Sequence, residues 1–422
     1  MKQRLIKSLT MQLCAISAFV VVMASAEIAP AQPHGYIVLH RFHGNDGSAP
    51  LAPLAVDSAG NLYGATTGGG DLNCNAPSGC GVVFRLSESG GLDLLHLFTG
   101  TPDGASPAAG VVLGAGGLIY GTTQSGGGTC QPSGCGTVYQ VGPTGQEKVL
   151  YSFAGGPSDG AAPVASLFVD AGNLFGTTAN GGIQSVFGTA FELTPSGAET
   201  VLHLFAQSPD GAFPGAGFVS DATGNLYSTT ALGGSQNGNC AGVGCGTVFA
   251  LTPAGASSNE SVIYSFLGAP DGQQPEGNLV KDASGNLYGV TVGGGSNTNC
   301  GSFGCGTVFK LTRAASGWTE SVLYNFTGAS DGANPGSLVG DSQGNLYGGT
   351  TSGGQYSNGT LFALSPTGQF KILHSFTGGP DGARPQVGMV IERPQPIIVG
   401  ATGGGGNPSC SPGCGVVFAY AQ

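Results

Sequence analysis

Residues 331–376, DGANPGSLVGDSQGNLYGGTTSGGQYSNGTLFALSPTGQFKILHSF, are the sharpest copy of a unit that fills the chain. An Asp-Gly-x-x-Pro opening marks it. The opening recurs at Asp46, Asp103, Asp159, Asp210, Asp271, Asp331 and Asp381, with Pro50, Pro107, Pro163, Pro214, Pro275, Pro335 and Pro385. The mean spacing is about 56 residues, a period that belongs to propeller blades. Four short apolar runs follow in fixed order. In the quoted copy they are Ser337-Leu338-Val339, Leu346-Tyr347, Thr360-Leu361-Phe362 and Ile372 to Phe376. Each is rich in branched or aromatic residues and bounded by Gly, Asp, Asn, Ser or Pro, which is the signature of strands. No sizeable stretch of the mature chain shows helical periodicity.

The two ends decide between a ring and an open array. The seventh copy reaches its third strand at Gly415-Val416-Val417-Phe418, and the sequence stops at Gln422. The fourth-strand pattern stands at the other end, in residues 36–42, ahead of the first Asp-Gly. An open β-solenoid, the alternative, needs polar caps on its end repeats. A ring completes its last blade with the N-terminal strand and keeps only short edges. The expectation is all-β: a seven-bladed β-propeller over 36–422, with blades at about 46–98, 103–153, 159–205, 210–266, 271–326, 331–376 and 381–422 plus 36–42.

Gly246-Thr247-Val248-Phe249, Gly306-Thr307-Val308-Phe309 and Gly285-Asn286-Leu287-Tyr288-Gly289 resemble the GloVer-type tandem repeat of secreted bacterial proteins that carry a choice of C-terminal anchors. The resemblance covers about 36–420, implies a propeller-like repeat and carries over no catalytic residue. The sequence has neither a hydrophobic tail nor a basic stop after Tyr420, unlike the anchored members.

Lys2, Arg4 and Lys7 precede an apolar run from Met11 to Met23, and Ala24-Ser25-Ala26 is a cleavage pattern. Residues 1–26 read as a signal peptide, with an alternative cut after 31, and 27–35 as a linker. A retained anchor is disfavoured by the shortness of the run, and a lipoprotein by Gln12-Leu13 before Cys14. No transmembrane segment is expected after cleavage. Removing 1–26 moves the formal charge from −11 to −14, and an acidic chain repels phosphate backbones, so nucleic acid is excluded as a partner. Localisation is periplasmic or extracellular.

Ten cysteines form close pairs between second and third strands: Cys74–Cys80, Cys130–Cys135, Cys240–Cys245, Cys300–Cys305 and Cys410–Cys414. Copies three and six have neither partner, so the staple is optional, and the pairs read as five disulfides of an exported protein. Zinc is the alternative. It needs four ligands, and no His lies near the pairs in sequence.

Strand alternation puts the Asp-Gly-x-x-Pro loops and the cysteine loops on one face of the disc. The tight Asp-x-x-Gly-Asn turns, such as Asp341 to Asn345, go to the other. Asp46, Asp103, Asp159, Asp210, Asp271, Asp331 and Asp381 could ring a calcium ion, since calcium takes carboxylate oxygens. The favoured reading is structural, because a feature of every blade is scaffold, and no cofactor is expected otherwise. His40, His96, His203 and His374 share a fourth-strand slot with Tyr151, Tyr264 and Tyr324, which reads as packing or hydrogen bonding. His34 and His43 receive no role, and Trp318 reads as packing.

A single site needs departures from the repeat. Inside Asp-Gly-x-x-Pro the exceptions to Ala and Ser are Phe213, Gln273, Gln274, Asn334 and Arg384, with Asp71 and Asn73 unusual in the first cysteine loop. Amide, aromatic and Arg groups around a rim suit a polyhydroxylated or peptide ligand. No nucleophile elbow, metalloprotease helix or phosphate loop is present. The reading is a monomeric, non-catalytic binding module for polysaccharide or envelope protein. Its rivals are a polysaccharide lyase or hydrolase at the channel mouth and a purely structural surface protein.

Overall fold

The computed structural model describes residues 35–421, apart from 129, 131, 241, 255–256, 298, 316, 392–395 and 411–412. The expected signal peptide, most of the linker and the Glu392–Gln395 turn lie outside the described residues. Every Asp-Gly opening leads into a four-stranded antiparallel sheet, and seven such sheets form a seven-bladed β-propeller. Blade six has strands Ala333–Gly340, Leu346–Ser352, Thr360–Leu364 and Phe370–Ser375. Blade seven takes Ala383–Ile391, Ile397–Gly404 and Val416–Ala421 from the C-terminus and Tyr36–Arg41 from the N-terminus. The closing strand is in register, with Tyr36 opposite Tyr420, Val38 opposite Phe418 and Arg41 opposite Val416.

Three repeated contacts bind each blade to the next. Phe42, Phe98, Phe153, Phe205, Phe266, Phe326 and Phe376 directly follow the fourth strands and are at most 1% exposed. Each meets a third-strand ring of the following blade (Phe84, Tyr139, Phe191, Phe249, Phe309, Phe362, Phe418), tilted or edge to face at centroid distances of 5.0–5.6 Å. Such geometry adds about 1 kcal/mol per pair beyond area burial.

The second contact explains two motif residues together. The Gly of each Gly-Thr-Val-Phe element lies under the Pro of the next opening. A Cβ on Gly306 would meet the Thr291 carbonyl oxygen at 2.4 Å and Pro335 Cδ at 2.6 Å. The seventh such pair, Gly415 with Pro50, crosses the closure. The third contact is the Asp-Gly carboxylate, which belongs to the site.

Candidate functional site

The first strands line a central channel of about 640 Å³. Small residues dominate the wall, among them Ala52, Ala109, Ala165 and Gly336. The larger groups include Leu51, Phe213, Glu276, Asn278 and Gln386. Among the described residues, Glu276 is the one carboxylate in the lining. It is open to the channel but walled by neighbouring strands, and burial pushes its pKa up. Glu276 and Gln386 follow Pro275 and Pro385, in a slot filled elsewhere by Leu51, Ala108, Val164, Gly215 and Gly336. They depart from the repeat just as the expected rim residues do, and the sequence reading passed over them.

The long loops do share a face. Each cysteine loop lies against the opening of the next blade: Gly328 faces the Cys300 and Cys305 sulfurs, and Gly44 faces those of Cys410 and Cys414. All five expected disulfides are formed. In blade six, which has none, Asn358 Nδ2 donates to the Thr377 carbonyl across the same gap.

The residue before each Pro carries a constant backbone and a variable side chain. Ala49, Ser106, Ala162, Phe213, Gln274, Asn334 and Arg384 all have φ between +52° and +57°. Their amides donate to Cys414, Cys80, Cys135, Phe187, Cys245, Cys305 and Asn358 of the preceding blade at 2.8–2.9 Å. Left-handed backbone is unusual for non-glycine residues, and here seven copies hold it through an inter-blade latch. Once the backbone makes the latch, the side chain is free to differ.

The expected rim residues have different surroundings. Phe213 lines the channel. Gln273 Nε2 donates to the Phe303 carbonyl at 3.0 Å. Asn334 donates to Val292 and accepts from Ser352. Arg384 is exposed and reaches the Gly403 carbonyl at 3.3 Å. Gln274 is half-buried. Of the five, only Phe213 belongs to the channel lining. Asp71 and Asn73 bond to each other within their own loop, and Trp318 packs against Tyr227.

The seven Asp carboxylates are each engaged with the ring slot of the preceding blade. Asp46, Asp103, Asp210 and Asp381 lie 2.9–3.0 Å from His40, His96, His203 and His374. Asp159, Asp271 and Asp331 accept from the hydroxyls of Tyr151, Tyr264 and Tyr324 at 2.9–3.1 Å. Backbone amides add to this, as Thr327 does at Asp331 and Leu267 at Asp271. On the opposite face, Asp221 accepts from Thr223, Asn225 and Tyr227. Burial opposes the Asp221 charge, yet those hydrogen bonds outweigh it and hold the carboxyl well below its usual range.

A fourth-strand position escaped the sequence reading. Four residues before the ring slot stand Glu147, Glu199, Glu260 and Glu320 in blades two to five, but Leu92, Phe370 and Tyr36 in the others. Phe370 stacks on Tyr324 at 3.9 Å and Tyr36 on His374 at 4.1 Å. The four glutamates take the same place, and Oε1 of each is buried without a hydrogen-bond partner. Burial first, then the neighbouring Asp charge, pushes Glu199, Glu260 and Glu320 up to about 7.

Among the described residues two clusters bring three metal-ligating side chains together: His40, His43 and Asp46, and His203, Asp210 and Glu260. No described helix is long and apolar enough to cross a membrane.

The Gloeobacter/Verrucomicrobia repeat matches the chain over residues 27–241 and 239–422. No curated protein matches. Among solved structures, the extracellular domain of a proposed hybrid two-component system from B. thetaiotaomicron is similar at 9% identity and TM-score 0.53, over 92% of this chain and 41% of that one. The chain thus spans well under half of that structure. A proposed 6-phosphogluconolactonase from Bacteroides uniformis aligns at 15% identity and TM-score 0.47, over 76% and 86% of the two chains. A gluconolactonase from Xanthomonas campestris aligns at 12% and 0.45, over 94% and 100%. At these identities the likeness concerns the fold alone.

Proposed function

We propose that this chain, which belongs to the Gloeobacter/Verrucomicrobia repeat family, is a non-catalytic binding module that takes a polysaccharide or envelope protein at the long-loop mouth of its channel. The observation that carries this reading is the channel lining. It combines one carboxylate, Glu276, with the amides of Asn278 and Gln386 and the ring of Phe213. Glycosidases generally use two carboxylates across the scissile bond, and among the described residues the lining offers one. Amides and a ring on a rigid scaffold suit hydroxylated or peptide ligands. Five disulfides fit an oxidising compartment outside the cytoplasm. The reading needs no calcium, since each Asp-Gly carboxylate already has protein donors.

The test incubates the disulfide-intact mature chain with a panel of envelope and matrix polysaccharides and envelope proteins, with and without calcium. Retention and new chain ends are both recorded. Retention without new ends, reduced at least tenfold by Phe213→Ala with Glu276→Gln, is expected. New chain ends would establish a lyase or hydrolase instead, and retention only with calcium would make the Asp ring a metal site. Retention of nothing would leave a structural surface protein.

A further inference from the structure

We propose that His40, His43 and Asp46 form a binding site for one divalent ion of the zinc class, at the junction of blades seven and one. His40 Nε2 lies 3.0 Å from Asp46 Oδ2, and His43 Nδ1 lies 3.4 Å from the same oxygen. The three ligand atoms are all within 4.8 Å of one another. Zinc bonds imidazole nitrogen and carboxylate oxygen at about 2.0–2.2 Å. Two donors held at such distances, with angles between square and tetrahedral, are themselves about 3.0–3.4 Å apart. The two nitrogen–oxygen separations therefore already match a coordination sphere.

The surroundings hold the ligands in place. The His43 backbone amide donates to Asp46 Oδ1 at 2.6 Å, which orients the carboxylate and leaves Oδ2 toward the rings. The His40 ring packs edge-on against Phe42 at 4.8 Å, and Phe42 is fully buried. Orientation by partners outside the coordination sphere is what raises metal affinity. His40 is 18% exposed and His43 59%, so one wall is fixed and the other is open to solvent. Three protein ligands leave a fourth position for water or for a donor atom of another molecule.

His43 is the residue that makes this junction different. Its counterparts after the buried Phe are Thr99, Ala154, Ala206, Leu267, Thr327 and Thr377. At those junctions, among the described residues, the Asp carboxylate meets a single ring, and Thr99, Thr327 and Thr377 also donate their hydroxyls to it. Two imidazoles with one carboxylate select zinc, copper or nickel over calcium, which prefers oxygen ligands. The site stands at the outer margin of the disc, beside the outermost strand, so it is independent of the channel reading. The competing cluster, His203 with Asp210 and Glu260, has one imidazole, and its Asp210 oxygens accept the Ala206 and Gly211 amides.

The experiment titrates zinc into the untagged, chelator-stripped mature chain by calorimetry at neutral pH, with calcium as the control. One zinc per chain and no calcium binding are expected. His43→Thr, which restores the residue of three sister junctions, should weaken zinc by at least roughly 100-fold, since losing a direct ligand costs no less than losing a partner outside the coordination sphere, and leave the melting temperature of the metal-free protein unchanged. Cobalt in place of zinc should give a visible absorption band that His43→Thr abolishes. Unchanged zinc affinity in His43→Thr would overturn the assignment. So would loss of zinc in Glu260→Gln alone, because it would move the ion to the other cluster. Failure to bind at about 100 μM zinc would overturn it as well.

Discussion

Gly306 shows how much a single atom decides here. Its φ is +93°, and an added Cβ would strike the Thr291 carbonyl oxygen and the Pro335 ring together. Gly306→Ala should therefore destabilise the protein by more than about 2 kcal/mol, since strain and overpacking combine at one position. Urea unfolding followed by tyrosine fluorescence would measure it. The buried glutamates make a second prediction at this scale. Glu199, Glu260 and Glu320 have folded values raised to about 7 from 4.5. The folded state thus holds protons that the unfolded state has lost. Their stabilisation is complete below about pH 4.5 and disappears as pH rises through 7. The melting temperature should fall between pH 5.5 and pH 8.5, and the triple Gln variant should flatten that slope. A slope unchanged in the triple variant would show that other groups cause it.

Within the blade, the disulfide is an accessory to a loop that holds without it. Blades three and six build the same loop-to-opening contact through Phe187 and Asn358. Removing Cys300–Cys305 as a double Ala variant should cost about 2 kcal/mol, the loop-entropy value for a short closed loop, and leave the secondary structure intact by circular dichroism. Loss of the fold would mean that the loop depends on its staple. The four-strand order of a blade is legible in the sequence because Gly, Asp and Asn punctuate each run. The bulge in every third–fourth strand pair, such as that between Val308 and Phe309, is not. A bulge sets two residues opposite one and carries no residue signature of its own here, so the sequence shows Tyr324 as packing or hydrogen bonding without naming Asp331 as its partner. The glutamates four residues earlier were equally hidden. Their burial comes from the neighbouring blade, which strand periodicity does not register.

Across the whole molecule, the repeat makes the ring readable and the site hard to read. Seven equal openings and a displaced fourth strand announce closure, since each blade needs neighbours on both sides. A functional site shows only as an exception, and an exception has meaning once its slot is known to face something. Phe213 was legible on that logic and does line the channel. Gln273 and Asn334 were equally exceptional, yet their side chains are engaged by neighbouring protein atoms, a loop carbonyl for Gln273 and strand atoms for Asn334. Glu276 and Gln386 were missed because the slot after Pro gains significance only from the channel. His43 was passed over because its partners, His40 and Asp46, already read as scaffold.

Ring closure by the N-terminal strand underlies all of this, because it brings blade one against blade seven and sets the channel. Hydrogen exchange over residues 36–41 tests it most directly. The closed ring predicts amides in 36–41 as protected as those in the other fourth strands, opening together with 416–421. Exchange of 36–41 within seconds, with the remaining strands still protected, would contradict closure.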